Sequence, residues 1–448
     1  MEFLIKASQL MLSLSILVVL HELGHFIPAR LFGTRVEKFY LFFDAGFSLF
    51  KYKKGDTEYG IGWLPLGGYV KIAGMIDESM DTAQLATEPQ PWEFRSKPAW
   101  QRLVIMLGGV TVNFFLGLFL YGMVLWGWGE VYLPNDNVKY GIYVDSIGQK
   151  LGLQEGDHIL QIGEKEFDKF SRGALIQGIV IDGAKTITVR RDGNTIDVDV
   201  PPNMVQELSS YKNQNNLIFD ARTPFVVGQV AEGLPADKAG ILIDDEIISL
   251  NGTPTPYFNQ FQDLSRKLKS QEVTVGFIRN KKDTMNVDLT TTENGTIGVA
   301  RYSNSVFFDI DRQDYTLAEA IPAGAKKGWN VLSTNVIAIG KMFTGDIKVS
   351  DSLGGFGSIG RMFAPVWDWE RFWTMTAALS LILAFMNLLP IPALDGGHVM
   401  FLIYEVISGR KPSDKFMEYA TMVGMVLVLG LVLYANGLDL WRWIQGQF

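Results

Sequence analysis

The run LMLSLSILVVLHELGH, Leu10 to His25, places two histidines and an acid directly after eleven residues that carry nothing more polar than serine. Such a stretch reads as the interior of a membrane-spanning helix. On a helix His21 and His25 lie one above the other on one face, roughly 6 Å apart along the axis, so both imidazoles can share one metal ion. Glu22, one position on from His21, projects close enough to take a proton from a water that the metal activates, which is the chemistry of the HExxH motif. On an insertion scale a charged residue near the middle of a span costs about 2.5 to 3.5 kcal/mol. An acid kept between two histidines at that depth therefore points to function, and here to hydrolysis within a bilayer.

Outward from this stretch, the chain of 448 residues is 48% hydrophobic, but the hydrophobicity is gathered into a few long runs. Leu4 to Ile27, Leu103 to Trp126, Trp373 to Leu389 and Phe416 to Tyr434 are each long enough to cross ~30 Å of hydrocarbon. The sequence thus predicts a polytopic α-helical membrane protein with four transmembrane helices. The first is read as retained, because no small-residue cleavage site follows its apolar stretch. Ten Lys and Arg residues lie between Arg30 and Arg102, and Arg410, Lys411 and Lys415 lie between spans three and four. Those connections are expected on the cytoplasmic side, with both termini and the long stretch from about 130 to 370 on the other. A net charge of −8 argues against a nucleic-acid partner. The absence of cysteine excludes disulfides and thiolate metal sites.

The polar region between spans two and three contains a repeat. Shifting the chain by 88 residues aligns Gly148-Gln149-Lys150-Leu151-Gly152-Leu153 with Ala236-Asp237-Lys238-Ala239-Gly240-Ile241, and Asp157-His158-Ile159-Leu160 with Asp245-Glu246-Ile247-Ile248. Two copies of one module are the simplest account. Each copy reads as a short helix closed by Gly, an acidic turn, an alternating strand and a tight Gly turn, followed by strand-like runs such as Thr186 to Val189 and Val273 to Phe277. Leu234-Pro-Ala-Asp-Lys-Ala-Gly-Ile241 with Asp245-Glu-Ile-Ile-Ser-Leu-Asn-Gly252 resembles the PDZ domain, whose groove binds extended peptide by strand addition.

Two histidines leave a zinc site short of its third protein ligand. The candidates are an acid, His158 or His398, and His158 falls in the outer module. Span three ends in Asn387-Leu-Leu-Pro390-Ile-Pro392-Ala-Leu394-Asp395-Gly396-Gly397-His398. Prolines at i and i+2 interrupt the helix, and broken backbone at membrane depth lines a cavity or is buried in protein. Asp395, placed just after the break, is a candidate ligand; capping the following helix is its alternative role, and His398 one turn on is a second candidate.

Taken together, HELGH, Pro65-Leu-Gly-Gly68-Tyr-Val-Lys71, the tandem modules and Asn387-xx-Pro390-x-Pro392-x-Leu394-Asp395-Gly396 resemble the site-2 protease family, peptidase M50, in its bacterial RseP type. The resemblance spans nearly the whole chain. It implies an intramembrane zinc endopeptidase of the inner membrane of a Gram-negative bacterium, with both termini and two PDZ domains periplasmic. Its implied partners are the lipid bilayer and a single-span membrane substrate, such as an anti-sigma factor already cut once outside the membrane, or a remnant signal peptide. By motif position, His21, His25 and Asp395 bind Zn2+, Glu22 is the base, and Asn387 holds substrate or transition state. Asn113, at a polar or small position of span two, is expected to contact substrate, and Gly67, Gly68 and Tyr69, expected to do the same, belong to a membrane-associated β-hairpin that offers an edge to substrate. Two segments depart from the family pattern: Phe43-Asp44-Ala45-Gly46-Phe47 and Leu353-Gly354-Gly355-Phe356-Gly357.

The implied organisation is a first span with HExxH (1–30), a cytoplasmic loop with the hairpin (31–102), a second span (103–127), two β-rich PDZ domains (128–220 and 221–310), an interfacial amphipathic helix and loop (311–370), a third span with the LDG motif (371–400), a cytoplasmic loop (401–415), and a fourth span with its tail (416–448). Alternation through Tyr59, Ile61, Trp63, Tyr69 and Lys71 predicts that Thr57 to Ile72 is the hairpin. Helical spacing from Leu317 to Phe343, with Lys327 and Lys341 too close together to flank a span, predicts the interfacial helix. Asp77 to Gln90 reads as a linker. The rival from another class is a membrane-tethered PDZ scaffold with a vestigial metal site, against which the intact Glu22 argues.

Overall fold

The computed structural model describes every residue except 66, 76–87, 214–215 and 447–448, so the 77–90 linker falls largely outside the described residues. Its principal helices are α1 (Glu2–Leu31), α2 (Ala99–Trp128), α3 (Leu317–Thr344), α4 (Trp369–Leu388), α5 (Asp395–Ser408) and α6 (Asp414–Ile444). Among the described residues, α1, α2, α4 and α6 are long and apolar enough to cross a membrane. The chain forms two compact units: Met1–Gly129 with Asp314–Gly340 and Ser352–Phe448, and Glu130–Gln313 with Lys341–Asp351.

In the first unit, α2 is the hub on which α1, α4 and α5 pack. Lipid is as apolar as leucine, so such helices associate through close backbone packing and hydrogen bonds. Both are present. A Cβ on Gly24 would sit 2.5 Å from the Gly108 carbonyl oxygen, and one on Gly108 would sit 1.9 Å from that of Gly24, so the α1–α2 crossing admits no side chain. Thr376 donates to Ser13 across 2.9 Å, and Ser380 donates 2.7 Å to the main-chain oxygen of Asn113. The first half of α3 also lies against α2, because Gly324 meets the Gly122 nitrogen where a Cβ would be 2.2 Å away. The amphipathic segment from Leu317 is thus one helix, with Pro322 inside it.

The loop between α1 and α2 folds as a four-stranded sheet of β1 (Val36–Leu41), β2 (Phe43–Lys54), β3 (Thr57–Leu64) and β4 (Tyr69–Ile72), in the order β2-β3-β1-β4. This corrects the hairpin expected over 57–72. The hairpin is β2 with β3, closed at Gly55, while β3 and β4 are separated by β1, parallel to the one and antiparallel to the other. Alternation reports which residues share a face and says nothing about which strand lies beside which. The decisive contact is side chain against glycine. Tyr40 is fully buried opposite Gly60, where a Cβ would sit 2.3 Å from its ring, and its hydroxyl donates to Glu58 at 2.7 Å. Phe47, Leu49 and Phe50 of β2 remain exposed.

The expected 401–415 loop is also corrected. Helix α5 runs through Ser408 and is closed by Gly409 in the left-handed conformation, so only 409–413 connect it to α6. Gly409 permits the backbone that ends a helix in this way.

The second unit shows the 88-residue repeat in three dimensions. Strand His158–Ile162 corresponds to Glu246–Leu250, and Lys165–Glu166 to Thr253–Pro254, each 88 residues on. The bulge between Ile159 and Gln161 recurs between Ile247 and Ser249. One buried ion pair marks each copy. Asp157 accepts from Arg191 at 2.7 and 2.8 Å, and Asp245 from Arg279 at 2.6 and 2.9 Å. Each arginine also donates to a glycine carbonyl, of Gly152 and of Gly240, and each aspartate caps the backbone of Gln154 or Leu242. Two separate cores follow, one around Leu151, Ile159 and Val189, the other around Ile241, Ile247 and Phe277. Strand Phe219–Ala221 pairs with Ile142–Val144 and closes the first copy.

Candidate metal centre

Helix α1 carries His21, Glu22 and His25 with Glu22 and His25 buried, and α5 begins at Asp395. Pro390 and Pro392 end α4 at Leu388 and leave six residues of irregular backbone before α5. Gly396 and Gly397 let the new helix fold back on that break: a Cβ on Gly396 would lie 2.3 Å from the Leu388 and Leu389 carbonyl oxygens, and one on Gly397 2.4 Å from Pro392 Cα. Asp395 is the first residue of α5 and not its N-cap, a position that falls to Leu394. Its carboxylate faces the histidines.

Three donor atoms meet at one point. His21 Nε2 is 3.2 Å from Asp395 Oδ2, His25 Nε2 is 3.4 Å from the same oxygen, and the two Nε2 atoms are 3.2 Å apart. Ligands held tetrahedrally at 2.0–2.1 Å from a zinc ion stand about 3.3–3.4 Å from one another. The triangle therefore has the dimensions of three corners of a zinc tetrahedron, with the fourth left for water or substrate. Asp395 Oδ2 is buried with no hydrogen-bond donor, as an oxygen reserved for a cation would be. Among the described residues, this is the group of His and carboxylate side chains that could hold a metal; His398, buried one turn on, is not part of it, and His158 lies in the other unit.

The support around the triangle comes from α2. His25 Nδ1 lies 2.8 Å from the Ile105 carbonyl oxygen, which accepts its proton and leaves Nε2 free to bind metal. Gly109 faces both rings: a Cβ there would be 2.3 Å from His25 Nε2 and 2.6 Å from His21 Cε1. Asn387 Nδ2 is 3.2 Å from His21 Nε2, and Asn113 Nδ2 is 3.3 Å from His21 Nδ1. Gly68, just before β4, packs against α1, where a Cβ would be 2.5 Å from Val18 and 3.4 Å from Glu22 Cγ. The ring of Tyr69 stacks between Tyr40 and Phe43, and its hydroxyl donates to Asp44 at 2.8 Å. Burial pushes the Asp44 carboxyl up, but the Tyr69 hydrogen bond and the Lys38 ammonium outweigh it and hold the group below the usual carboxylate range.

The family model of peptidase family M50 matches residues 9–431. The chain belongs to peptidase family M50. Similar proteins include the regulator of sigma-E protease RseP of Escherichia coli, 27% identical over 97% of this chain and 98% of its own, and the regulator of sigma E protease of Haemophilus influenzae, 26% identical over 97% and 98%. A protein of Neisseria meningitidis named as a zinc metalloprotease is 27% identical over 95% of this chain and 97% of its own. As an M50 peptidase with four apolar helices of spanning length, the protein is a membrane metalloprotease.

Sequence reading missed two parts of the candidate site. The Ile105 carbonyl is a backbone group with no sequence signature. Gly109 did carry one, since the Gly108-Gly109 pair inside a span marks a surface for close helix approach, but not what that surface would face.

Proposed function

We propose that this protein is a zinc endopeptidase that cuts single-span membrane proteins within the bilayer. The observation that carries the reading is the 3.2–3.4 Å triangle of His21, His25 and Asp395 beside Glu22, on a helix of spanning length. Zinc bound there supplies Lewis-acid polarisation of the scissile carbonyl and an acidified water. Glu22 takes the proton of the attacking water and returns it to the departing amide nitrogen. The 3.2 Å approach of Asn387 to His21 supports its role in holding the substrate or the transition state. A substrate helix keeps its carbonyls in hydrogen bonds, so it must unwind before it is cut, and strand addition to a sheet edge does this. The sheet edge formed by β4 starts beside Glu22, which supports assigning Gly67, Gly68 and Tyr69 to that task. The expected assay result is cleavage of a purified single-span substrate inside its apolar segment, stopped by a zinc chelator and restored by zinc. Intact substrate under all three conditions would leave the scaffold as the better reading.

The relatives named as regulators of sigma-E protease support an anti-sigma factor, already trimmed outside the membrane, as substrate; remnant signal peptides offer the same single apolar span. The repeated modules are assigned to the PDZ class on their shared helix, acidic turn and strand order. The Lys and Arg bias supports a periplasmic side for them and for both termini, in a bacterial inner-membrane protein. A chain without cysteine allows a direct test. A single Cys at Asn194 or Asp283, exposed in the hairpins of the two modules, should react with an impermeant maleimide in spheroplasts, while one at Lys53 or Lys411 should not. The reverse pattern overturns the orientation.

A further inference from the structure

The two metal-facing imidazoles present the same problem, and α2 solves it visibly for only one. Each Nε2 points into the donor triangle and each Nδ1 points at α2, His25 toward the Ile105 carbonyl and His21 toward the side chain of Asn113. A neutral imidazole carries one proton. When Nε2 binds a cation the proton must sit on Nδ1, which then needs an acceptor. Asn113 is 1% exposed, its Oδ1 is buried with no partner, and its Nδ2 lies 3.3 Å from His21 Nδ1. An Nδ1 proton facing that NH2 would set donor against donor, whereas the amide turned by 180° has the same shape and presents the oxygen. The residue is well fixed for the task, since Ser380 of α4 donates to its main-chain oxygen at 2.7 Å.

We propose that Asn113 is a positioning residue for the metal: its side-chain oxygen accepts the Nδ1 proton of His21 and so holds Nε2 as a free ligand, the counterpart of the Ile105 carbonyl at His25. The inference rests on the zinc reading above and replaces the expectation that Asn113 contacts substrate. It is tested on the full-length protein in detergent with Asn113→Leu, similar in size without an acceptor, and Asn113→Asp, which keeps one. Zinc affinity is measured by chelator competition, and the His21 tautomer of the zinc-free protein by nitrogen-15 NMR, tractable with four histidines. The leucine variant should bind zinc about 10- to 100-fold more weakly and lose the Nδ1-protonated preference, while the aspartate variant stays near wild type. Equal affinity in wild type and Asn113→Leu overturns the proposal, as does an aspartate variant no better than leucine, which would mean packing alone. A raised KM with unchanged kcat for Asn113→Leu at saturating zinc would return Asn113 to substrate binding. A wild-type protein that binds no stoichiometric zinc would instead overturn the function on which the inference rests.

Discussion

Glu22→Gln should bring substrate cleavage down by about 100- to 10,000-fold while the protein still binds one zinc ion, because the amide keeps the shape of the acid but cannot accept the proton. The structure sharpens the expectation of retained metal, for Glu22 is not one of the three atoms that form the donor triangle. Asp395→Ala should fail in the opposite way. It leaves two protein ligands where a stable site needs three, so zinc should be lost together with activity. Measuring metal content beside turnover separates the two roles. A Glu22→Gln enzyme that cuts at the wild-type rate would remove Glu22 from the mechanism, and an Asp395→Ala protein with stoichiometric zinc would show that the third ligand is another group.

The second large effect is expected from one methyl group. In Gly109→Ala the new Cβ would lie 2.3 Å from His25 Nε2 and 2.6 Å from His21 Cε1, distances that real Cβ atoms do not tolerate. The rings cannot yield without leaving the triangle, and the α1 backbone cannot retreat while Gly24 is seated against Gly108. Misplacing a catalytic group by about 1 Å can cost on the order of 100-fold, so activity should fall at least that far, with weakened zinc binding. Gly127→Ala, on the same helix with nothing within 4 Å, is the control and should be near neutral. Thermal unfolding of both variants distinguishes a distorted site from a misfolded chain. Full zinc occupancy and activity in Gly109→Ala would mean that the α1–α2 interface is looser than its glycines imply.

Much of this site could be read before any fold was known. Helical spacing puts His21 and His25 on one face whatever surrounds them, and the cost of burying an acid makes Glu22 informative on its own. The prolines at 390 and 392 forbid a continuous helix, so a break before Asp395 is a local fact. The 88-residue register survives as the matched pairs Asp157–Arg191 and Asp245–Arg279, although the arginines themselves were not singled out, because only folding brings residues 34 positions apart into contact. Spans, motif and repeat were legible for one reason: each is set by interactions between residues near in sequence, or between a segment and its solvent.

Contacts between distant segments were not. Alternation placed strand character in 57–72, but that Val36–Leu41 would lie between its halves depended on Tyr40 finding room over Gly60. Helical continuity from Asp395 to Ser408 was obscured because the apolar run of span three draws the boundary by hydropathy, whereas the chain breaks where proline removes the backbone hydrogen bond. The choice of Asp395 over a capping role needed its carboxylate seen 3.2 and 3.4 Å from the two imidazoles. The groups that face the Nδ1 atoms of the two histidines, a carbonyl at Ile105 and a side-chain amide at Asn113, come from a helix some 80 to 90 residues away in the chain. Sequence thus determined which side chains make up the candidate site, since that follows from residue type and local spacing; the tertiary structure decided how they are held, since orientation depends on which helix comes close and where glycine lets it.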